Sequence, residues 1–161
     1  LVLFPLTMAI QPVMVQFWNQ NKQNQATTLW YQILKLLGIS FLIFSAIYFI
    51  INVQILKVLN QLMGADYKYS LGLLTLLVTS GFFWQANLLF HKPLELTKRT
   101  HTMTSLMMAS LMVMSVMALI IVPLYGLIGV AMSTCIGALF YSTMSLIYGI
   151  IIVKRKENKI L

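Results

Sequence analysis

The chain has 161 residues, 60% of them hydrophobic and 9% charged, with a mean hydropathy of +0.87; soluble domains carry roughly a quarter charged residues, so a water-soluble globular domain is excluded. The net charge of +8 does not point to nucleic acid, because the lysines and arginines sit in the connections between apolar runs and form no solvated face that could read phosphates and bases. One cysteine, Cys135, inside an apolar run, offers neither a disulfide framework nor a thiolate metal cluster.

Residues 1–21, 36–56, 69–90 and 103–153 contain no Asp, Glu, Lys, Arg or His. A helix needs about 20 apolar residues to cross a bilayer, and uninterrupted runs of this length are too long for buried strands. The fold expected is therefore all-α: a polytopic membrane bundle of five spans at 1–17, 30–53, 69–91, 103–122 and 127–153, followed by a basic tail at 154–161. The chain begins with Leu1, and no basic flank precedes the first run, which argues against a signal peptide. The simpler expectation is the C-terminal part of a longer protein.

The first span carries Gln11 and is followed by "NQNKQNQATT", in which Lys22 is the one charge. The second starts at Trp30 and Tyr31, residue types that favour the membrane interface. Its Lys35 falls about one turn inside the hydrocarbon, where it either snorkels back to water or faces a polar cavity. From 52 to 70 the chain leaves the membrane. Ile55, Val58, Leu59 and Leu62 alternate there with Lys57, Asn60 and Gln61 at helical spacing, the pattern of an interfacial amphipathic stretch, and "GAD" at 64–66 suggests a turn.

The third span holds Trp84, Gln85 and Asn87 in its last third. Lipid would leave the two amides unpaired, so they should face other helices or a cavity. The connection 92–102 follows, flanked by His91 and His101, which are expected to be solvated. The fourth span is rich in methionine: Met103, Met107, Met108, Met112, Met114 and Met117. Such side chains adapt their shape to lipid or to sliding partners.

Pro123, Tyr125, Gly126 and Gly129 punctuate the long final run and let two helices reverse in a short loop, since proline ends helices and glycine permits unusual backbone angles. Beyond the loop, Gly129, Ser133 and Gly137 recur every fourth residue and form a small-residue stripe suited to close helix contact.

Alternation of the spans puts Lys22, Lys35, Lys92, Lys98, Arg99, Lys154, Arg155, Lys156 and Lys159 on one side and Lys57 and Lys68 on the other. The positive-inside rule makes the tail and the 92–102 connection cytoplasmic, and the tail suits anionic head groups. Catalytic chemistry has no candidate. The acids Asp66, Glu95 and Glu157 lie in connections or the tail, no nucleophile and base occur together, and no metal or cofactor motif is present.

Taken together, "LFHKPLELTKRTHTM", a hydrophobic span, "LIIVPLYGLIGVAMSTCIGALFYS" and a basic tail resemble the C-terminal end of polysaccharide and O-antigen flippases. These belong to the superfamily that also contains multidrug extruders and peptidoglycan-precursor flippases. Ile121, Pro123, Tyr125, Gly126, Gly129, Ala131 and Thr134 match its turn between two late helices. Thr97 and Lys98 match a cytoplasmic loop, Gly64, Tyr67 and Ser70 in "LMGADYKYS" an upstream feature, and "FPLTMAIQP" a proline-bearing helix. The family asparagine before the turn is absent, and Val130 stands where a small residue is usual.

The resemblance implies a 12- to 14-helix transporter of two pseudo-symmetric bundles, of which this chain would be most of the second. It would flip undecaprenyl-pyrophosphate-linked oligosaccharide across the bacterial inner membrane by alternating access. The cavity residues would be Lys35, Gln85, Asn87 and Gln11, with the turn and packing set by Pro123, Gly126, Gly129, Ser133 and Gly137. Implied partners are membrane lipid, the lipid-linked oligosaccharide, the missing N-terminal bundle and polysaccharide polymerisation machinery. Two other readings stay open: a multidrug exporter of the same superfamily, and a membrane assembly subunit that transports nothing.

Overall fold

The computed structural model describes residues 3–20, 22–63 and 71–157. The chain is an all-α helical bundle, and among the described residues there is no strand. Its elements are α1 (Leu3–Asn19), α2 (Gln23–Met63), α3 (Leu71–Phe90), the short α4 (Lys92–Leu96), α5 (Thr100–Tyr125) and α6 (Leu127–Glu157). Four windows among the described residues are long and apolar enough to cross a membrane: Asn24–Ile51, Gly72–Leu96, Thr100–Tyr125 and Leu127–Val153. This is the architecture of a multi-pass membrane protein. The expected first span corresponds to α1, whose 17 residues are slightly fewer than the roughly 20 that a full crossing needs.

Helix α6 is the central element, packed along both α5 and α3. Its sequence explains why: Gly129, Ala131, Ser133, Gly137, Ala138, Ser142, Ser145 and Gly149 are small, and their lack of bulk lets two helices approach from two sides. A methyl group on Gly129 would lie 2.8 Å from the Ile121 carbonyl oxygen and 2.8 Å from Val122 Cα. One on Gly137 would lie 2.9 Å from Met114 Cβ. Both glycines therefore set how closely α6 meets α5, and the Ser110 hydroxyl donates to the Gly137 carbonyl across this seam (2.8 Å).

The reversal between α5 and α6 is tighter than the expected loop. Helix α5 runs through Pro123 to Tyr125, and Gly126 alone intervenes before α6. Proline is tolerated in this last turn because only the Leu119 carbonyl loses its helical donor. Gly126 takes φ 56° and ψ −128°, a combination that side chains forbid, while its N–H still donates to the Val122 carbonyl (2.8 Å).

The connection 92–102 is not an extended loop. After the break at His91, Lys92–Leu96 forms α4 with Pro93 in its first turn, where the missing N–H is harmless. It ends in a Schellman motif: Lys98 N–H donates to the Glu95 carbonyl (2.9 Å) and Arg99 N–H to the Leu94 carbonyl (2.9 Å), with Lys98 at φ 57°. Glycine usually occupies this position, and a lysine there gives no sequence signal for the motif.

Helices α1 and α2 flank α3. A core of Met14, Trp30, Ile33, Leu37, Ala86, Leu89, Phe90 and Val153 joins α1, α2, α3 and the end of α6. Helix α2 has 41 residues, a length of roughly 60 Å at 1.5 Å per residue, about twice the hydrocarbon thickness. Its polar end therefore projects beyond the apolar window. The Gly64–Asp66 turn, Tyr67, Ser70 and Lys159 lie outside the described residues. So do the side chains of Ile55, Leu59 and Asn60 in the amphipathic stretch, those of Lys154, Arg155 and Lys156, and the "FPLT" part of the first motif.

Candidate functional site

The break between α3 and α4 gathers most of the polar side chains of the bundle interior. In a continuous helix the Leu89 carbonyl would accept from residue 93, but residue 93 is proline and has no N–H. The indole of Trp30 supplies the donor instead: Nε1 lies 3.0 Å from the Leu89 oxygen, and the ring is 1% exposed. A methyl group on Gly149 would come within 3.3 Å of that ring. Trp30 thus pins α2 to α3 and α6. The indole therefore faces the bundle interior, not the surrounding solvent or lipid. Neighbouring Tyr31 remains exposed.

One turn earlier, Asn87 is buried in the α3–α6 seam. The Ser142 hydroxyl lies 2.8 Å from Asn87 Oδ1 and 2.8 Å from the Ala138 carbonyl, so its single proton serves one of them at a time. Gln85 is half-buried, and neither its Oε1 nor Asn87 Nδ2 has a hydrogen-bond partner among the described residues. The Tyr141 ring packs between Trp84 (centroids 6.3 Å apart) and His91 (6.4 Å).

Below this, Lys92 and Glu95 form an ion pair at 2.6 Å, with Lys92 buried and Glu95 partly exposed. The other Glu95 oxygen accepts from Gln11 Nε2 at 3.2 Å, which ties α1 to α4. The structure therefore corrects the picture of a solvated connection. Lys92 is buried and paired, and His91 is half-buried against Tyr141, because α4 folds back onto α6; His101 is exposed.

Of the four cavity residues expected from the sequence, Gln85 and Asn87 are one turn from this corner, and Gln11 reaches it through Glu95. Lys35 does not join them. The buried face of α2 is Ala26, Trp30, Ile33 and Leu37; Lys35 is two residues, about 200° of helical rotation, from both Ile33 and Leu37 and is exposed. The Gly129–Gly137 stripe is occupied within the chain by α5, so it is not a free surface for another subunit.

No family model, curated protein or solved structure matches the chain.

Among the described residues no group of three His, Cys, Asp or Glu side chains stands close enough to hold a metal ion. Chemically, the corner offers amides, hydroxyls, one imidazole and a neutralised ion pair. That set suits hydrogen bonding and helix–helix registration. The sequence marked Gln85 and Asn87, but Trp30, Lys92, Glu95 and Ser142 were not singled out as partners. The one available signal was Pro93, whose place four residues after Leu89 leaves a carbonyl in need of a donor.

Proposed function

We propose that this bundle is one wall of a transporter that moves a lipid-linked oligosaccharide from the cytoplasmic to the outer leaflet of the bacterial inner membrane, with its C-terminus in the cytoplasm. The observation that carries the proposal is Lys35. It stands within the apolar window Asn24–Ile51 and on the face of α2 turned away from the bundle core. One turn inside the hydrocarbon, a lysine facing lipid must snorkel back to water, at a cost below the roughly 2.5–3.5 kcal/mol of a mid-membrane lysine. A water-lined cavity completed by a second bundle removes that penalty and gives the ammonium a role as countercharge to a phosphate-bearing substrate.

Two further features support the reading. The packing of α3, α5 and α6 leaves one apolar face of α2 exposed, as a wall that meets an opposing bundle requires. The single-residue reversal at Gly126 and the close α5–α6 packing suit a pair of helices that would rock together as part of one bundle.

The test is surface polysaccharide in cells expressing the full-length protein. Lys35→Ala should lower export at an unchanged protein level, and Lys35→Arg should retain most of it. Unchanged export by Lys35→Ala would remove Lys35 from the site and, with it, the cavity assignment of this face.

A further inference from the structure

Helices α2 and α3 touch at two places and separate between them. Toward the middle of α2, the Phe41 ring meets Phe82 (centroids 4.5 Å apart) and Phe83 (5.8 Å). Two turns later the Tyr48 hydroxyl meets Thr75 Oγ1 at 3.2 Å. Between these ties lies a groove of about 250 Å³, walled by Phe41, Phe44 and Tyr48 of α2 and by Val78, Thr79 and Phe82 of α3. Both walls fall inside membrane-crossing windows.

Size and closure decide what fits. An α-helix with its side chains is about 10–12 Å across, and a groove tied at both ends admits no helix of a second bundle or a second copy. A 150 Å³ apolar cavity accepts benzene, so about 250 Å³ suits on the order of ten carbons. The distance from Phe41 to Tyr48 along α2, roughly 10 Å at 1.5 Å per residue, suits an extended chain of about that size. We propose that the α2–α3 groove holds part of one hydrocarbon chain of a membrane lipid, entering beside the Tyr48–Thr75 hydroxyl pair and ending at the Phe41–Phe82 contact. The two hydroxyls stand where the more polar, carbonyl-bearing end of such a chain would lie, and the aromatic walls take the methylenes. This assignment does not depend on the transport reading, since it requires only that the bundle sits in a bilayer.

The chain is reconstituted in nanodiscs with phosphatidylglycerol that carries a photoactivatable diazirine along one acyl chain, and labelled peptides are mapped by mass spectrometry. Labelling should concentrate on Phe44, Tyr48 and Val78 relative to Leu119 and Leu124, two exposed side chains of α5. Thr79→Trp fills the groove and should reduce labelling there by about tenfold while leaving α5 labelling unchanged, because close-packed walls leave no room for the chain. Thr79→Ser keeps the space and should label like the wild type. Unfolding temperatures of both variants identify any loss of fold, and if Thr79→Trp is unstable, Ser45→Phe fills the same groove from α2. Equal labelling of groove and α5 residues, or labelling unaffected by a folded groove-filling variant, would overturn the proposal.

Discussion

Replacing Gly129 with alanine tests the packing of the α5–α6 hairpin at its tightest point. The added methyl would lie 2.8 Å from the Ile121 carbonyl oxygen, 2.8 Å from Val122 Cα and 3.0 Å from the Ile121 carbonyl carbon. Ordinary contact is about 3.5–4.0 Å, so the backbones must separate by roughly 0.5–1.2 Å. All three atoms are main chain, and no side-chain rotation relieves them. The displacement would propagate along the seam and stretch the 2.8 Å bond from Ser110 to the Gly137 carbonyl. Overpacking of this kind destabilises by about 1–3 kcal/mol, against which alanine gains about 1 kcal/mol of helix propensity, so the net loss is between zero and about 2 kcal/mol. At about 2–4 °C per kcal/mol for a chain of this size, the unfolding temperature should fall by up to about 8 °C. Cys135 is buried and is the one cysteine of the chain, so a thiol-reactive fluorophore reports unfolding directly in detergent or nanodiscs. Gly38 and Gly81 have nothing within 4 Å of a built methyl, and alanine at either should be neutral or stabilising. A Gly129→Ala protein more stable than the wild type would refute the reasoning.

The same assay tests the α3–α4 corner. Trp30→Phe keeps an aromatic ring but loses the pyrrole half of the indole and leaves the Leu89 carbonyl without its donor, and should destabilise by at least about 1–3 kcal/mol; an unchanged midpoint would mean that the carbonyl finds another partner. Lys98→Gly removes a side chain from a left-handed position that disfavours it by about 1–2 kcal/mol, and should raise the midpoint; a lower one would show that the Lys98 side chain contributes more than its backbone strain removes. Glu95→Gln leaves the buried Lys92 ammonium unpaired and should be more destabilising than the double change Lys92→Met with Glu95→Gln. Equal effects would show that solvent reaches Lys92 and screens the pair.

The helical class and most helix positions were legible because long charge-free runs leave a membrane helix as the one element that satisfies every backbone group internally. The hairpin was legible too: Pro123, Gly126 and Gly129 act through local backbone angles and close approach, which residue type alone determines. Trp30 was not. Its type suggests an interface, and only the adjacency of Leu89, Pro93 and Gly149, brought together from three helices, explains its burial. Lys92 misled for a similar reason: its charge marks a connection, but Glu95 three residues on makes it an internal pair once α4 folds onto α6. The α2–α3 groove depends on how two helices diverge, which residue spacing on one helix does not encode.

Lys35 gives the most direct test of a transporter wall. Position 35 would be changed to cysteine in the full-length protein, with Cys135 replaced by alanine, and its reaction with a small membrane-impermeant thiol reagent compared with that of cysteine at Leu119, an exposed apolar position of α5. Thiolates form and react where water reaches them. A cavity face requires rapid reaction at position 35 and none at 119. Equally slow reaction at both would put Lys35 in lipid and contradict the assignment of this face to a transport path.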